Sequence, residues 1–480
     1  MNLKNAQELE RQGQYLAAEK LFCALVKEDP NNGQAYWGLG RLALKAELHD
    51  RAISLLNQAC HLLPQAPVPL IHLARAFNGA FSEQDALTVL EYGIKLSPNM
   101  ALMHYELGQQ QLVMGRLPLA EQSFRSVLQL GVSGDDHVLN AYAYLEISRL
   151  KAFNINDPGI LAMQKRLIHP LLTAQEEVVI RYALAKALND HKDFDGAWQH
   201  YQRGNALQLK QCQFKTRELT TFFRNIKSKS KGGLLLPQRS LQENELTPIF
   251  ILGLPRTGSS LLEYTLSKHP DISGAGELPY IGHQVANYFH TQTQQHYPDF
   301  LPGMSSVQMD QAANIYLDLL ARHAKGNHFV IDKLPANFQS IGLIYTLFPK
   351  AKIIHLRRSL PATALSVFTN YFAENEPYFC SLEEFKQYAQ LHDDLMRHWH
   401  CELPGFVYEA NYEQLIENPK ESIQAILNFC GLAWNESCLA DTNTNVPVKT
   451  LSKVQVRRPI TREALSAWKH YQDHLALFVD

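Results

Sequence analysis

PIFILGLPRTGSSLLEYTLSKHP, residues 248–270, decides the fold of the second half of this chain. PIFILGLP (248–255) is an unbroken apolar run, the pattern of a strand buried on both faces of a parallel sheet. The remainder turns on a glycine and opens an amphipathic helix. A strand, glycine turn and helix in succession aim backbone N–H groups and the positive end of the helix at one point, which suits an anion. Further along, HFVIDKLPANFQSIGLIYTLFPKAKIIHLRRSLPATALSVFTNYF (328–372) gives two more strands, FVID and KIIHL, joined by a helical segment. Strand, helix, strand implies a parallel crossover, and hence an α/β domain.

The glycine spacing of GLPRTGSS (253–260) is that of a Walker A loop, but Ser259 stands where that loop has its phosphate-binding lysine, and the basic residue is Arg256. A nucleotide kinase or triphosphatase on the same topology is therefore the lesser enzyme reading. The form Pro-Arg-Thr-Gly-Ser-Ser resembles the 5′-phosphosulfate loop of sulfotransferases, which implies a donor, 3′-phosphoadenosine 5′-phosphosulfate, held by Pro255, Arg256, Thr257, Gly258, Ser259 and Ser260.

Other segments extend the resemblance in the same order. Lys333 falls at the carboxyl end of FVID, where doubly wound sheets bind ligands. Arg358 lies just past KIIHL and Ser366 eight residues on, a spacing similar to the 3′-phosphate site of sulfotransferases; Arg357 is the alternative arginine. Glu277, in ISGAGELPYI (272–281), matches the general base of protein-tyrosine and bacterial repeat-containing sulfotransferases. Tyr412, in FVYEANYEQLIENP (406–419), matches a nucleotide contact or is a core tyrosine. KTLSKVQVRRPITREALSAWKHY (449–471) resembles the closing loop of tyrosylprotein sulfotransferases, which puts Ser452 near the sulfonate and Arg458 near the nucleotide phosphates.

The resemblance implies in-line transfer of a sulfonate to a hydroxyl acceptor, a protein tyrosine, a saccharide or a small molecule, with Glu277 taking the proton and Arg256, Lys333 and Ser452 stabilising charge. No metal is needed, because cationic side chains supply the positive charge. HDDLMRHWH (392–400) places His398 and His400 on different faces of a helix, and it reads as a solvated amphipathic helix rather than a metal site. The aromatic residues of NYFAENEPYFCSLEEF (370–385) are either an acceptor-pocket lining or a packed core strip.

The front half repeats. Pro30, Pro64 and Pro98 share a period of 34 residues with Ala18, Ala52, Ala86 and Ala120 and with Leu39, Leu73 and Leu107, and Gly40, Ala74 and Gly108 form a column of small residues. Each unit carries two helical patterns closed by proline, which resembles the tetratricopeptide repeat. The chain as a whole is similar to bacterial tetratricopeptide-repeat sulfotransferases. The expected division is repeats over 1–132, further helical repeats over 133–226, a linker over 227–244 and a sulfotransferase domain over 245–480. The repeats offer a surface for a partner protein or for a second copy of the chain. A repeat-based scaffold with an inactive nucleotide pocket is the reading from outside enzymology.

Composition narrows the rest. Hydrophobic residues make up 46% and charged residues 19%, and 45 basic against 47 acidic side chains leave a formal charge of −2, which argues against a nucleic-acid partner. No apolar run reaches the ~18 residues of a membrane span, and the expected location is cytoplasmic. The 7 cysteines are scattered and odd in number, so they are expected to be reduced.

Overall fold

The structure, a computed structural model, describes residues 2–131, 137–154, 156–231, 246–374, 376–440, 447–450, 453–457 and 462–479. It divides into two compact units, Met1–Ala183 with Asn445–Val448, and Leu184–Thr444 with Lys449–Asp480.

The first unit is all helix. Four hairpins follow one another: α1 (Leu3–Arg11) and α2 (Tyr15–Glu28), α3 (Gly33–Lys45) and α4 (His49–Leu62), α5 (Pro67–Gly79) and α6 (Glu83–Leu96), α7 (Ala101–Val113) and α8 (Leu117–Leu130). Each column of the period has a physical cause. Ala18, Ala52, Ala86 and Ala120 are fully buried, because the second helix of each hairpin approaches its neighbours too closely for a larger side chain. A Cβ on Gly40 would stand 2.5 Å from Leu56, and one on Gly108 2.7 Å from the Phe124 ring. Pro30, Pro64 and Pro98 fall just after α2, α4 and α6, where a residue without N–H stops the helix. Two helices, α9 (His137–Leu150) and α10 (Pro158–Leu167), follow, and α11 (Ala174–Asp190) carries the division between the units.

The second unit continues with α12 (Phe194–Leu209) and α13 (Leu219–Lys229) and then builds a sheet. Its strands are β1 (Thr247–Leu252), β2 (Ile272–Gly274), β3 (Phe329–Asp332), β4 (Lys352–Arg357) and β5 (Val407–Asn411). All neighbours pair in parallel, in the order β2-β3-β1-β4-β5. The connecting helices are α14 (Ser259–Leu266), α15 (Ala286–Thr293), α16 (Ser306–Ala321), α17 (Ile341–Leu347), α18 (Leu360–Phe368), α19 (Pro377–Cys380), α20 (Leu382–Glu402), α21 (Tyr412–Glu417) and α22 (Pro419–Cys430). On one face, Ile249, Ile251, Ile331, Ile354 and Leu356 pack on Leu262 and Leu266 of α14 and on Ile423, Ile426 and Leu427 of α22. On the other, Phe250 meets Tyr316 of α16, and the buried Trp399 of α20 donates to the Phe338 carbonyl at 2.8 Å. Burial of both faces explains why PIFIL lacks polar alternation.

The unbroken apolar reading of 248–255 and the FVID–helix–KIIHL crossover are both present. A parallel sheet after an all-helical repeat region is the architecture the sequence implies, and the structure gives it five strands. The expected linker, 227–244, starts inside α13, which runs to Lys229, and from residue 232 onward it lies outside the described residues. α12 and α13, grouped with the repeats in the sequence reading, belong to the compact unit that holds the sheet. The reason is polar as well as apolar: Asn205 and Gln208 of α12 donate from buried amides to the Phe368 and Phe372 carbonyls, each at 2.9 Å, and Trp198 stacks on Phe368. The aromatic strip after residue 370 is core: Phe372 stacks on Phe379 and Tyr378 on Tyr388, both with ring centres 4.0 Å apart. All seven cysteines are free thiols; Cys380, Cys430 and Cys438 are buried and Cys401 is exposed.

Candidate active site

The parallel sheet delivers every strand's carboxyl end to one edge, and each strand there releases a candidate residue. β1 leads into the loop 253–258, β2 into Glu277, β3 into Lys333, β4 into Arg358 and β5 into Tyr412. This is where open α/β sheets hold ligands.

The loop after β1 is shaped by three left-handed residues. Gly253 (φ +147°), Arg256 (φ +67°) and Gly258 (φ +100°) turn the chain sharply enough for α14 to start at Ser259. A side chain at Gly253 would strike the Leu356 carbonyl of β4 at 2.6 Å. Arg256 is the non-glycine of the three, a conformation that costs on the order of 1–3 kcal/mol and marks functional loops. Thr257 folds back on the loop by donating to the Leu254 carbonyl, 2.9 Å. Ser259 and Ser260 are buried in the first turn of α14, whose N–H groups have no acceptors within the helix.

Arg256 reaches across the site. Its Nε donates to Ser366 Oγ of α18 at 3.2 Å and its Nη2 to Gln455 Oε1 at 2.7 Å. Arg358 lies under the loop, donating to the Arg256 carbonyl at 3.0 Å and to the Ala464 carbonyl at 3.1 Å, with its guanidinium 4.6 Å over the Tyr412 ring. The spacing in sequence pairs Ser366 with Arg358; the hydrogen bond on Ser366 Oγ comes from Arg256. Burial pushes the Arg358 pKa down, partly offset by Tyr412 and Glu413, and its Nε has no hydrogen-bond partner. Arg357 points the other way, half exposed, and pairs with Glu409 of β5 at 3.3 Å. Alternation along the strand thus gives Arg358, not Arg357, to the loop.

Lys333 is buried to 1% exposure and its Nζ meets Glu277 Oε1 at 2.5 Å, while Glu277 is 42% exposed. Their strands are neighbours, and Lys333 N–H donates to the Gly276 carbonyl at 2.9 Å, which fixes the turn carrying Glu277. Ser452 and Arg458 lie outside the described residues. The stretch that bears them touches the loop at Thr450, which accepts from Ser260 Oγ at 3.0 Å, and at Gln455.

Residues 248–436 match the sulfotransferase family. A sulfotransferase domain therefore follows a tetratricopeptide-like region, whose residues 3–67 match the tetratricopeptide repeat. Among relatives, an uncharacterised protein of Aquifex aeolicus is 29% identical over 359 residues, covering 71% of this chain and 46% of its own length. A protein-tyrosine sulfotransferase of Drosophila melanogaster is 27% identical over 241 residues, 47% of each chain. The chain thus spans under half the length of these two relatives. Of solved structures, the sulfotransferase domain of the Synechococcus PCC 7002 olefin synthase shares 21% identity over 48% of this chain and 90% of that one, with a TM-score of 0.36.

Two acids of the sulfotransferase domain escaped the sequence reading. Glu263 of α14 accepts the Gly276 N–H at 2.6 Å, and its burial raises its pKa. Asp332, fully buried beside Lys333, accepts from Tyr316 at 2.9 Å and from Asn337 at 3.2 Å. Burial pushes its pKa up to about 8. Neither carries a motif; an acid at the end of an apolar strand, as in FVID, is the signal that was available for Asp332.

The sign for stability follows from the direction. A carboxyl whose folded pKa lies above its unfolded value binds more protons folded than unfolded, so the contribution of Asp332 to stability is full below about pH 4 and is lost as pH rises toward 8. Asp332→Asn keeps an acceptor for Tyr316 and should flatten that decline in a series of melting curves from acid to mild alkali; an unchanged slope would show that Asp332 ionises normally. At the loop, a Cβ on Gly258 would stand 2.4 Å from the Tyr412 ring at a φ of +100°. Gly258→Ala should cost about 1–3 kcal/mol by backbone strain alone, more with the ring displaced, and lower the melting temperature. A melting curve matching that of the unmodified protein would contradict this account of the loop.

Proposed function

We propose that this protein transfers a sulfonate from 3′-phosphoadenosine 5′-phosphosulfate to a hydroxyl, with a tyrosine side chain of a protein as the acceptor. The observation that carries the reading is the Lys333–Glu277 pair at the sheet edge, one strand away from an anion loop that has Ser259 where a kinase loop has lysine. A half-exposed carboxylate held by a buried ammonium is a base positioned to meet an acceptor from solvent. The relatives named protein-tyrosine sulfotransferases favour tyrosine over other hydroxyls.

In this scheme, the first turn of α14 with Thr257, Gly258, Ser259 and Ser260 cradles the 5′-phosphate, and Arg256 stands over the anhydride bridge. Arg358 is suited to the 3′-phosphate, because its present partners are two carbonyls and a ring, neutral groups that leave its charge for an incoming anion. Tyr412 orients Arg358, and Ser366 steadies Arg256. The acceptor oxygen attacks sulfur in line, the bond from sulfur to the bridging oxygen breaks, and 3′-phosphoadenosine 5′-phosphate leaves. Glu277 receives the hydroxyl proton as the new S–O bond forms. Lys333 moves its hydrogen bond from Glu277 to the bridging oxygen and sulfonate, where charge develops. Ser452 and Arg458 complete the donor contacts in the closing loop. The repeats would hold the acceptor protein or a second copy of the chain.

Incubation with radiolabelled donor and panels of tyrosine peptides, glycans and small phenols tests the reading. Label on tyrosine peptides supports it; label on glycans or phenols alone would overturn the acceptor while keeping the donor, and no label on any panel would overturn the activity.

A further inference from the structure

On the sheet face opposite α14 and α22, three side chains unrelated to the transfer site converge. His355 of β4 and Glu409 of β5 are paired in the parallel register, so their side chains are neighbours on one face. His400, near the end of α20, closes over them. His355 Nδ1 and His400 Nε2 each stand 3.9 Å from Glu409 Oε2. The ligating atoms of the three all lie within 4.8 Å of one another.

His355 is the decisive member. It is 1% exposed, and neither ring nitrogen has a hydrogen-bond partner. A buried polar atom without a partner is costly and calls for an explanation. His400 Nε2 is likewise buried and unpartnered, as is Nε2 of His392, whose ring centre lies 5.1 Å from that of His355. A core histidine retained for packing would satisfy at least one nitrogen with a carbonyl or hydroxyl, as His269 does with the Ala433 carbonyl. Glu409 is already oriented: Arg357 donates to its Oε1 at 3.3 Å and leaves Oε2 to the histidines. His392 in turn is fixed by Asp393 at 3.1 Å. A ligating group steadied by an outer partner is the usual build of a metal centre.

We propose that His355, His400 and Glu409 bind one divalent transition-metal ion, with zinc the best match to two imidazoles and a carboxylate, and with a water in the fourth position. Zinc bonds of about 2.0–2.2 Å need ligand atoms a little over 3 Å apart, so the present separations close by rotations of His400 and Glu409, the two more exposed members. The ion would tie β4, β5 and α20 together directly beneath the turn that presents Arg358. Its role is structural, separate from sulfonate transfer. His398 and His400, on different faces of α20, do lie apart: His398 is at Ser230 Oγ, 3.0 Å away. The partners of His400 come from strands distant in sequence.

Untagged protein, stripped with a chelator and dialysed against zinc, tests the proposal by metal content and by melting temperature with and without zinc. The unmodified protein should retain about one zinc per chain and melt higher with it. His400→Asn and Glu409→Gln alter partly exposed side chains and should each fold in chelator yet lose at least about tenfold in zinc affinity. Cobalt(II) should give the visible absorption of a low-symmetry nitrogen and oxygen site in the unmodified protein and lose it in both variants. Absence of zinc after dialysis, or equal zinc in the unmodified protein and both variants, would overturn the proposal.

Discussion

Glu277→Gln should lower the turnover number about 10²- to 10⁴-fold while the protein still binds 3′-phosphoadenosine 5′-phosphate as tightly as before. Glutamine keeps an amide oxygen to accept from Lys333, so the buried ammonium retains its partner and the fold is spared; what disappears is the basic oxygen. Lys333→Ala acts on the same step from the other side. Its loss leaves Glu277, 42% exposed, to be solvated by water, and removes the donor that the proposed scheme gives to the leaving oxygen. A fall of about 10²- to 10³-fold in turnover is expected, as when one donor to a developing anion is deleted. Rates for both variants measured at saturating acceptor check the pair, and near-normal turnover in either would remove that residue from the chemistry.

Arg358→Ala should weaken binding of 3′-phosphoadenosine 5′-phosphate by about 30-fold to several thousand-fold, since removing one partner of a desolvated charged contact costs about 2–5 kcal/mol. The loss should fall on affinity more than on turnover at saturating donor, because the proposed scheme puts Arg358 at the nucleotide end away from the reacting sulfur. Lysine cannot restore it. Arg358 spends its planar fork on two carbonyls while stacking on Tyr412, and a flexible ammonium reproduces neither geometry. Calorimetric titration of Arg358→Ala, Arg358→Lys and the unmodified protein with the nucleotide decides this. Equal affinity in all three would assign the 3′-phosphate elsewhere.

The parts of this molecule that were legible in the sequence share one property: local order imposed by steric demand. The repeat columns exist because an alanine or glycine is the largest residue that fits where helices cross, and this recurs with every hairpin. PIFIL reads as a central strand because both faces are covered, and the loop after it reads as a tight turn into a helix because glycine is needed at Gly253 and Gly258. Long-range pairings were not legible. Nothing local shows that Ser366 serves Arg256, since that contact depends on how α18 leaves β4 relative to the loop. β2 is three residues long and carries Glu277 out of the sheet, too short for any periodicity to announce it. Membership of α12 in the sheet-bearing unit depends on Asn205 and Gln208 finding carbonyls more than 160 positions away. The same blindness hid the His355–Glu409 register pair.

No helix among the described residues is long and apolar enough to cross a membrane. In the proposed scheme Arg256, Lys333 and Arg358 do for the donor what a lysine and magnesium do for a nucleoside triphosphate. Calorimetry of the full chain, titrated with 3′-phosphoadenosine 5′-phosphate and with ATP, each with and without magnesium, tests that scheme most directly. Binding of the bisphosphate without magnesium and much weaker binding of ATP is the predicted result; magnesium-dependent ATP binding with none of the bisphosphate would contradict it.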